Sequence, residues 1–338
     1  MSREPGNKSR TVLTATTALS PAVWGTTYLV ATEFLPEGRP MLAAMVRALP
    51  VGLAFVLWSR RLPSGDWWWR AGVLGVLNIG AFFALLFVAA FRLPGGVAAT
   101  AGATLPLVAA GVAALLIGEA FTRRTAIAGV VGVIGVAMLV LEPGANLDAI
   151  GIVAALAGTV SMATGVVLTK RWGRPVDLIT FTGWQLTAGG LVLVPVVLIA
   201  EGLPSTITST NVAGFAWLAT IGTGLAYANW FRGVQALPIA ITSFLGLLSP
   251  LVATTAGWVI VGEGLAPLQL VGVGLVATAV IFPQLQTGNQ RLNRDAASPC
   301  TEQPMTEGPD HHLGRWPQRS CRQQTSRPQI PIVRSTHE

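Results

Sequence analysis

A chain of 338 residues with 52% apolar and only 11% charged residues, and a mean hydropathy of +0.60, cannot clothe a soluble fold of this size, which usually carries charge on about a quarter of its residues. The net charge of +7 and isoelectric point near 10.6 would suit a nucleic-acid binder. However, the Lys and Arg sit in short segments between apolar runs, where they orient a membrane protein, so no nucleic-acid partner is expected. Both cysteines, Cys300 and Cys321, and all three histidines, His311, His312 and His337, follow the last apolar run; this excludes a zinc site, a disulfide and Cys- or His-based catalysis from the apolar part, and neither metal nor cofactor is expected.

Apolar stretches of roughly 20 residues recur, the length that crosses ~30 Å of hydrocarbon. They lack the alternation of barrel strands, and in lipid a helix satisfies its own backbone. The pattern predicts an all-α membrane protein with spans at about 12–33, 41–58, 70–90, 95–117, 125–141, 149–169, 178–200, 212–232, 238–261 and 266–285. Residues 1–11 carry Arg3, Lys8 and Arg10 ahead of an apolar stretch too long for a signal peptide, so the first span is read as an uncleaved helix. It holds Trp24 and Tyr28, four apart and on one helical face. The second span holds Arg47 about two turns in; a charge at that depth is costly and faces a cavity or a partner. Its guanidinium fork suits a carboxylate, whereas a structural tie to backbone carbonyls is the plainer use. The loop arginines are expected to be solvated.

The third span opens on Trp67, Trp68 and Trp69 beside Arg70, an interfacial belt, and carries Asn78. In the fourth, Pro106 frees the carbonyl of Gly102, and in the ninth Pro250 does the same for Gly246, which predicts bent helices. Gly129, Gly132 and Gly135 in the fifth, and Gly272 and Gly274 in the tenth, allow close helix contact. Trp184 and Gln185 in the seventh, with Tyr227 and Asn229 in the eighth, join Trp24, Tyr28, Arg47 and Asn78 as candidate substrate contacts. The same residues would serve as interhelical ties. Residues 286–338 are polar, aperiodic and Pro-rich, and are expected to be a disordered cytoplasmic tail in which His311-His312 is inert.

The two halves repeat. Leu93-Pro94, Pro106 and Gly118-Glu119 recur as Leu237-Pro238, Pro250 and Gly262-Glu263, an offset that also pairs Gly80 with Gly224 and Phe83 with Tyr227. Earlier, a slightly shorter offset pairs Trp24-Gly25 with Met162-Ala163 and Arg47 with Gln185. Glu119 and Glu263 stand at span ends as interfacial caps or gate-end residues. Five spans per repeat is an odd number, so the second copy enters from the opposite side, as in many secondary transporters. The basic residues Arg60, Arg61, Arg70, Arg123, Arg124, Lys170, Arg171, Arg174 and Arg232 then share a side with both termini. By the positive-inside rule that side is the cytoplasm.

The doubled series, with Trp24-Gly25, Arg47 and Trp184-Gln185, resembles the EamA-like proteins of the drug/metabolite transporter superfamily. The resemblance implies two repeats, 12–141 and 149–285, forming a basket of helices around a central cavity, with the fifth and tenth spans peripheral. It also implies export of small metabolites, often amino acids, across the inner membrane and no enzymatic activity. Expected partners are a small metabolite and the lipid bilayer, with a homodimer as one option. A sugar or nucleotide-sugar exchanger and a multidrug exporter are the alternatives; a phosphate-bearing ligand would want more cavity cations than Arg47. Met162, where a tryptophan is common, departs from the pattern on one side of the cavity.

Overall fold

The structure is a computed structural model that describes residues 7–36, 38–93, 95–140, 148–256, 258–259 and 266–297. Pro94, Glu263, the His311-His312 pair and the tail from 298 onward lie outside these residues. Among the described residues the chain is entirely helical. Six helices are long and apolar enough to cross a membrane: Pro40–Ser59, Trp67–Leu86, Ala98–Ile117, Arg123–Val140, Ala149–Trp172 and Leu178–Ala200. Ile239–Thr255 and Pro267–Phe282 are shorter apolar helices.

In chain order, the first span is broken into α1 (Asn7–Gly25) and α2 (Thr27–Phe34). The break falls at Thr26, whose N–H and hydroxyl both turn back onto the Val23 carbonyl, at 3.1 and 2.7 Å. Next come α3 (Pro40–Ser59) and a third span made of α4 (Trp67–Gly75), a π-helical turn at Val76–Gly80 and α5 (Ala81–Arg92). The fourth is α6 (Gly95–Gly102) and α7 (Leu105–Ile117), interrupted at Ala103 and Thr104 just ahead of Pro106, as the proline predicts. α8 (Arg123–Val140), α9 (Ala149–Trp172) and α10 (Leu178–Ala200) are continuous.

The eighth expected span has the same make-up as the third: α11 (Ser209–Ala219), a π-helical turn at Thr220–Leu225 and α12 (Ala226–Ala236). The ninth is interrupted as the fourth is, with α13 (Ile239–Leu245) and α14 (Leu248–Ala256) broken at Gly246 and Leu247, ahead of Pro250. α15 (Pro267–Ala297) continues past the expected boundary at 285. Extending an existing helix is cheaper than nucleating one, and Gln, Arg, Leu and Ala in this stretch are adequate helix formers.

α1 and α11–α12, in the first and eighth expected spans, are not among the six apolar crossings. They carry more polar residues, and α1 lies against α12 with those residues turned toward each other. Asn229 Nδ2 donates to the Thr16 carbonyl at 2.6 Å and the Ser20 hydroxyl at 2.9 Å, and Arg232 donates to the Thr16 hydroxyl at 2.7 Å. Polar groups paired across a helix contact need not face lipid.

The most extensive helix pair is α3 with α10, the second and seventh spans. A methyl at Gly52 would lie 2.6 Å from the Thr187 nitrogen, one at Gly190 2.8 Å from Leu49 Cβ, and one at Gly183 2.8 Å from Phe55 Cβ. Residue numbers rise along one helix as they fall along the other, so the pair is antiparallel. Glycine is what permits backbones this close. Gly135 and Gly272 bring α8 and α15 together in the same way: a methyl at Gly272 would meet the Gly135 carbonyl at 2.8 Å.

Candidate functional site

Arg47 is buried, with 7% of its surface exposed. α3 supplies it, and the second π-helical turn receives it: Nε donates to the Thr223 hydroxyl at 2.9 Å and a terminal nitrogen donates to the Gly222 carbonyl at 3.2 Å. The guanidinium carbon sits 4.8 Å from the centre of the Phe83 ring, within cation–π range. Among the described residues no acid pairs with it. A guanidinium stays protonated in proteins, so a positive charge is held in the apolar interior by a hydroxyl, a carbonyl and a ring face.

The accepting carbonyl belongs to the π-helical turn Thr220–Leu225. Its wider winding replaces the regular i→i−4 ladder locally, and such turns concentrate at functional sites. Gly222 accepts not only from Arg47 but also from Trp24 Nε1 at 3.0 Å. The Trp24 ring is 5.0 Å from Tyr227 and 5.3 Å from Trp230, and Tyr227 in turn meets Phe83 at 6.5 Å and Phe231 at 5.8 Å. Three of the expected residues, Trp24, Arg47 and Tyr227, are therefore gathered in one aromatic-lined cluster. The Tyr28 side chain lies outside the described residues.

Asn78 and Gln185 form a second, fully buried cluster. Asn78 Nδ2 donates to Gln185 Oε1 at 2.9 Å and to the Thr169 hydroxyl at 3.2 Å. Asn78 Oδ1 and Gln185 Nε2 have no hydrogen-bond partner among the described residues. This cluster stands at the positions that the sequence offsets match to the first. Gln185 corresponds to Arg47, and Asn78 corresponds to Gly222 at the offset that pairs Gly80 with Gly224. Each half thus extends a polar side chain from its second helix to the π-helical turn of the other half. One tie is cationic and the other neutral.

The remaining candidates go elsewhere. Asn229 joins α12 to α1, as described above. Trp184 donates to the Arg61 carbonyl at 2.8 Å and packs 6.4 Å from Trp67, at the loop end of α3. Gly102 with Pro106 and Gly246 with Pro250 flank the two helix breaks. Glu119 is a cap: Oε2 accepts from the Ile239 N–H at the start of α13 at 3.0 Å, and Oε1 from Lys170 at 2.7 Å, while Lys170 also donates to the Leu237 carbonyl at 2.6 Å. Arg39 departs from the solvated role expected of loop arginines. It donates to the Glu201 and Gly202 carbonyls at 2.7 Å, and the Glu201 carboxylate accepts from the Met41 and Leu42 N–H groups at 2.7 and 2.8 Å. A buried helix start needs such acceptors, and no local pattern around Arg39 announces a partner so distant in sequence.

Sequence reasoning missed Gly222, Thr223 and Trp230, and did not place Phe83 in the site. The signal was present in the repeat: Gly222-Thr223-Gly224 stands where Asn78-Ile79-Gly80 stands in the first half.

The EamA-like transporter family matches residues 12–141 and again 149–283. Protein PecM of Dickeya dadantii is 48% identical over 267 residues, covering 78% of this chain and 90% of its own length. A probable amino-acid metabolite efflux pump of Salmonella typhimurium is 24% identical over 266 residues, 75% of this chain and 88% of its own. A solved crystal structure shares the fold with a TM-score of 0.65 at 20% identity, covering 80% of this chain and 96% of that one.

Proposed function

The chain belongs to the EamA-like transporter family, and from that premise we propose that it is a secondary transporter that exports small polar metabolites, amino acids or their derivatives foremost, by alternating access. One observation carries the reading: the buried Arg47 guanidinium bridges the halves without a carboxylate partner among the described residues. A charge buried in a span pairs with an opposite charge or a carbonyl or faces a cavity, and a substrate carboxylate matches the fork of this one. The aromatic rings of Trp24, Phe83 and Tyr227 would enclose the apolar body of the same substrate.

Ten spans in two inverted repeats form the proposed frame. The antiparallel glycine contacts between α3 and α10, which are repeat mates, support inversion, and so do the matching π-helical turns and matching helix breaks. The amino-acid preference draws support from the Salmonella relative, a probable amino-acid metabolite efflux pump. The test is uptake by proteoliposomes of a labelled panel of amino acids, their methyl esters, sugars and nucleotide sugars. Free amino acids should be carried and their esters rejected. Carriage of nucleotide sugars alone, or indifference to the ester, would overturn the reading.

A further inference from the structure

Where the last turn of α3 meets the first turn of α10, the surface opens into a cavity of about 410 Å³ lined by Trp58, Ser59, Arg61, Asp177 and Ile179. Its depth is set by the helices themselves, because Ser59 ends one apolar helix and Leu178 begins the next. That is the level at which lipid headgroups lie against a spanning helix.

The cavity holds one cation and one anion, both on pinned backbone. The Arg61 carbonyl is held by Trp184 Nε1 at 2.8 Å, and Arg60 before it takes a left-handed conformation with its N–H on the Val56 carbonyl at 2.9 Å. Asp177 is the N-cap of α10: Oδ1 accepts from the Thr180 N–H at 3.0 Å and Oδ2 from the Thr180 hydroxyl at 2.6 Å. A carboxylate has about four acceptor sites, so acceptor capacity remains on the cavity side. Among the described residues no ion pair joins Arg61 to Asp177. The turns of α3 that lead up to the cavity are apolar and open, with Leu53 exposed, Leu57 72% exposed and Trp58 84%, and Ile179 of the cavity lining is exposed as well. Leu53 and Leu57 stand four apart, on one face of α3.

A separated cation and anion at headgroup depth, above an exposed apolar track, match a zwitterionic lipid that carries a phosphate and a primary ammonium. We propose that this cavity binds the headgroup of an ethanolamine phospholipid, its phosphate on Arg61, its ammonium on Asp177 and an acyl chain along Leu53 and Leu57. A choline headgroup has no N–H to give Asp177, and a glycerol headgroup has no cation.

The test uses the full-length protein, stripped of lipid in detergent and offered ethanolamine, choline or glycerol phospholipids of identical acyl chains, with retained lipid counted by native mass spectrometry. The wild type should retain the ethanolamine lipid about tenfold better than the choline lipid, the scale of one charge-assisted hydrogen bond. Asp177→Asn keeps the cap, since Asn caps as well as Asp, and should abolish that preference without loss of folded protein. Arg61→Ala should weaken retention of all three lipids. Equal retention of ethanolamine and choline lipids by the wild type would overturn the proposal, as would unchanged retention in both variants. Preference for the glycerol lipid, insensitive to Asp177→Asn, would assign the cavity to anionic lipid and also overturn it.

Discussion

Arg47 keeps its charge in an apolar interior through a hydroxyl, a carbonyl and a ring, and each can be removed singly. Arg47→Ala should lower transport at limiting substrate by about ten- to a hundredfold, the scale of a hydrogen-bonded charge contact, with protein levels near normal. Thr223→Val should cost less, because Gly222 still accepts. The control is Arg92→Ala, whose half-exposed pairing with Asp148 at 3.6 Å is worth little; Arg39 is unsuited because it closes the end of α10. Equal uptake by Arg47→Ala and Arg92→Ala would make Arg47 a structural tie. Asp177 gives a pH prediction. Its hydrogen bonds with the Thr180 side chain and then backbone hold its carboxyl below the usual range. A carboxyl whose folded value is depressed adds stability above its unfolded value, about 4, and that stability is lost as pH falls through the folded value. The group is largely exposed, so solvent screening keeps the effect to a few tenths of a kcal/mol. Thermal melts in detergent from pH 6 downward should show a shallower acid limb for Asp177→Asn than for the wild type. Parallel limbs would contradict this.

Among the elements, the α3–α10 pair is the most exposed to a single change. Gly52, Gly183 and Gly190 each meet the opposite helix closer than a methyl allows. Gly190→Val should force the helices apart and cost about 1–3 kcal/mol, the usual range for overpacking, read as a lower melting temperature and less folded protein. Gly274→Ala on α15 meets nothing within 4 Å and should be neutral or slightly stabilising, since alanine is the better helix former. Similar losses in the two variants would mean that helix contact is not what the α3 and α10 glycines provide. The π-helical turns belong to this scale too. Both fall at the same place in their half, and each takes a polar side chain from the other half.

At the scale of the molecule, the positive-inside rule predicts that both termini are cytoplasmic. With native cysteines removed, single cysteines at positions 8 and 316 should be labelled by a membrane-impermeant maleimide only after the membrane is opened. Labelling of either in intact cells would overturn that orientation. Coupling is decided at the same scale. Among the described residues the spans offer no interior aspartate or histidine, and Glu119 is engaged by Lys170 and the Ile239 N–H. Transport should therefore run as facilitated diffusion or exchange, without uphill accumulation when a pH gradient is imposed on proteoliposomes at fixed membrane potential. Accumulation that disappears in Glu119→Gln or Glu263→Gln would reverse this expectation.

Composition and apolar run length were enough to make this an all-helical membrane protein, because lipid leaves the backbone few alternatives. The doubled proline and Gly-Glu spacing argued for two related halves, and Pro106 and Pro250 stand just after the two helix breaks, since a missing N–H acts locally whatever surrounds it. Arg47 stood out for the same reason: its cost depends on depth in the span. Its partners could not be read that way. Gly222 and Thr223 lie in the other half of the chain, and which carbonyl accepts a distant side chain is settled only where the two helices meet. Trp24, Asn78, Trp184, Gln185 and Asn229 all look alike in sequence, as polar or aromatic residues within apolar runs. Tertiary packing alone sorts them into an aromatic cluster with Arg47, a neutral counterpart on the other half, a pin for the Arg61 loop and a tie between α1 and α12. Depth and periodicity are properties of one helix, whereas a side chain's partner is a property of two.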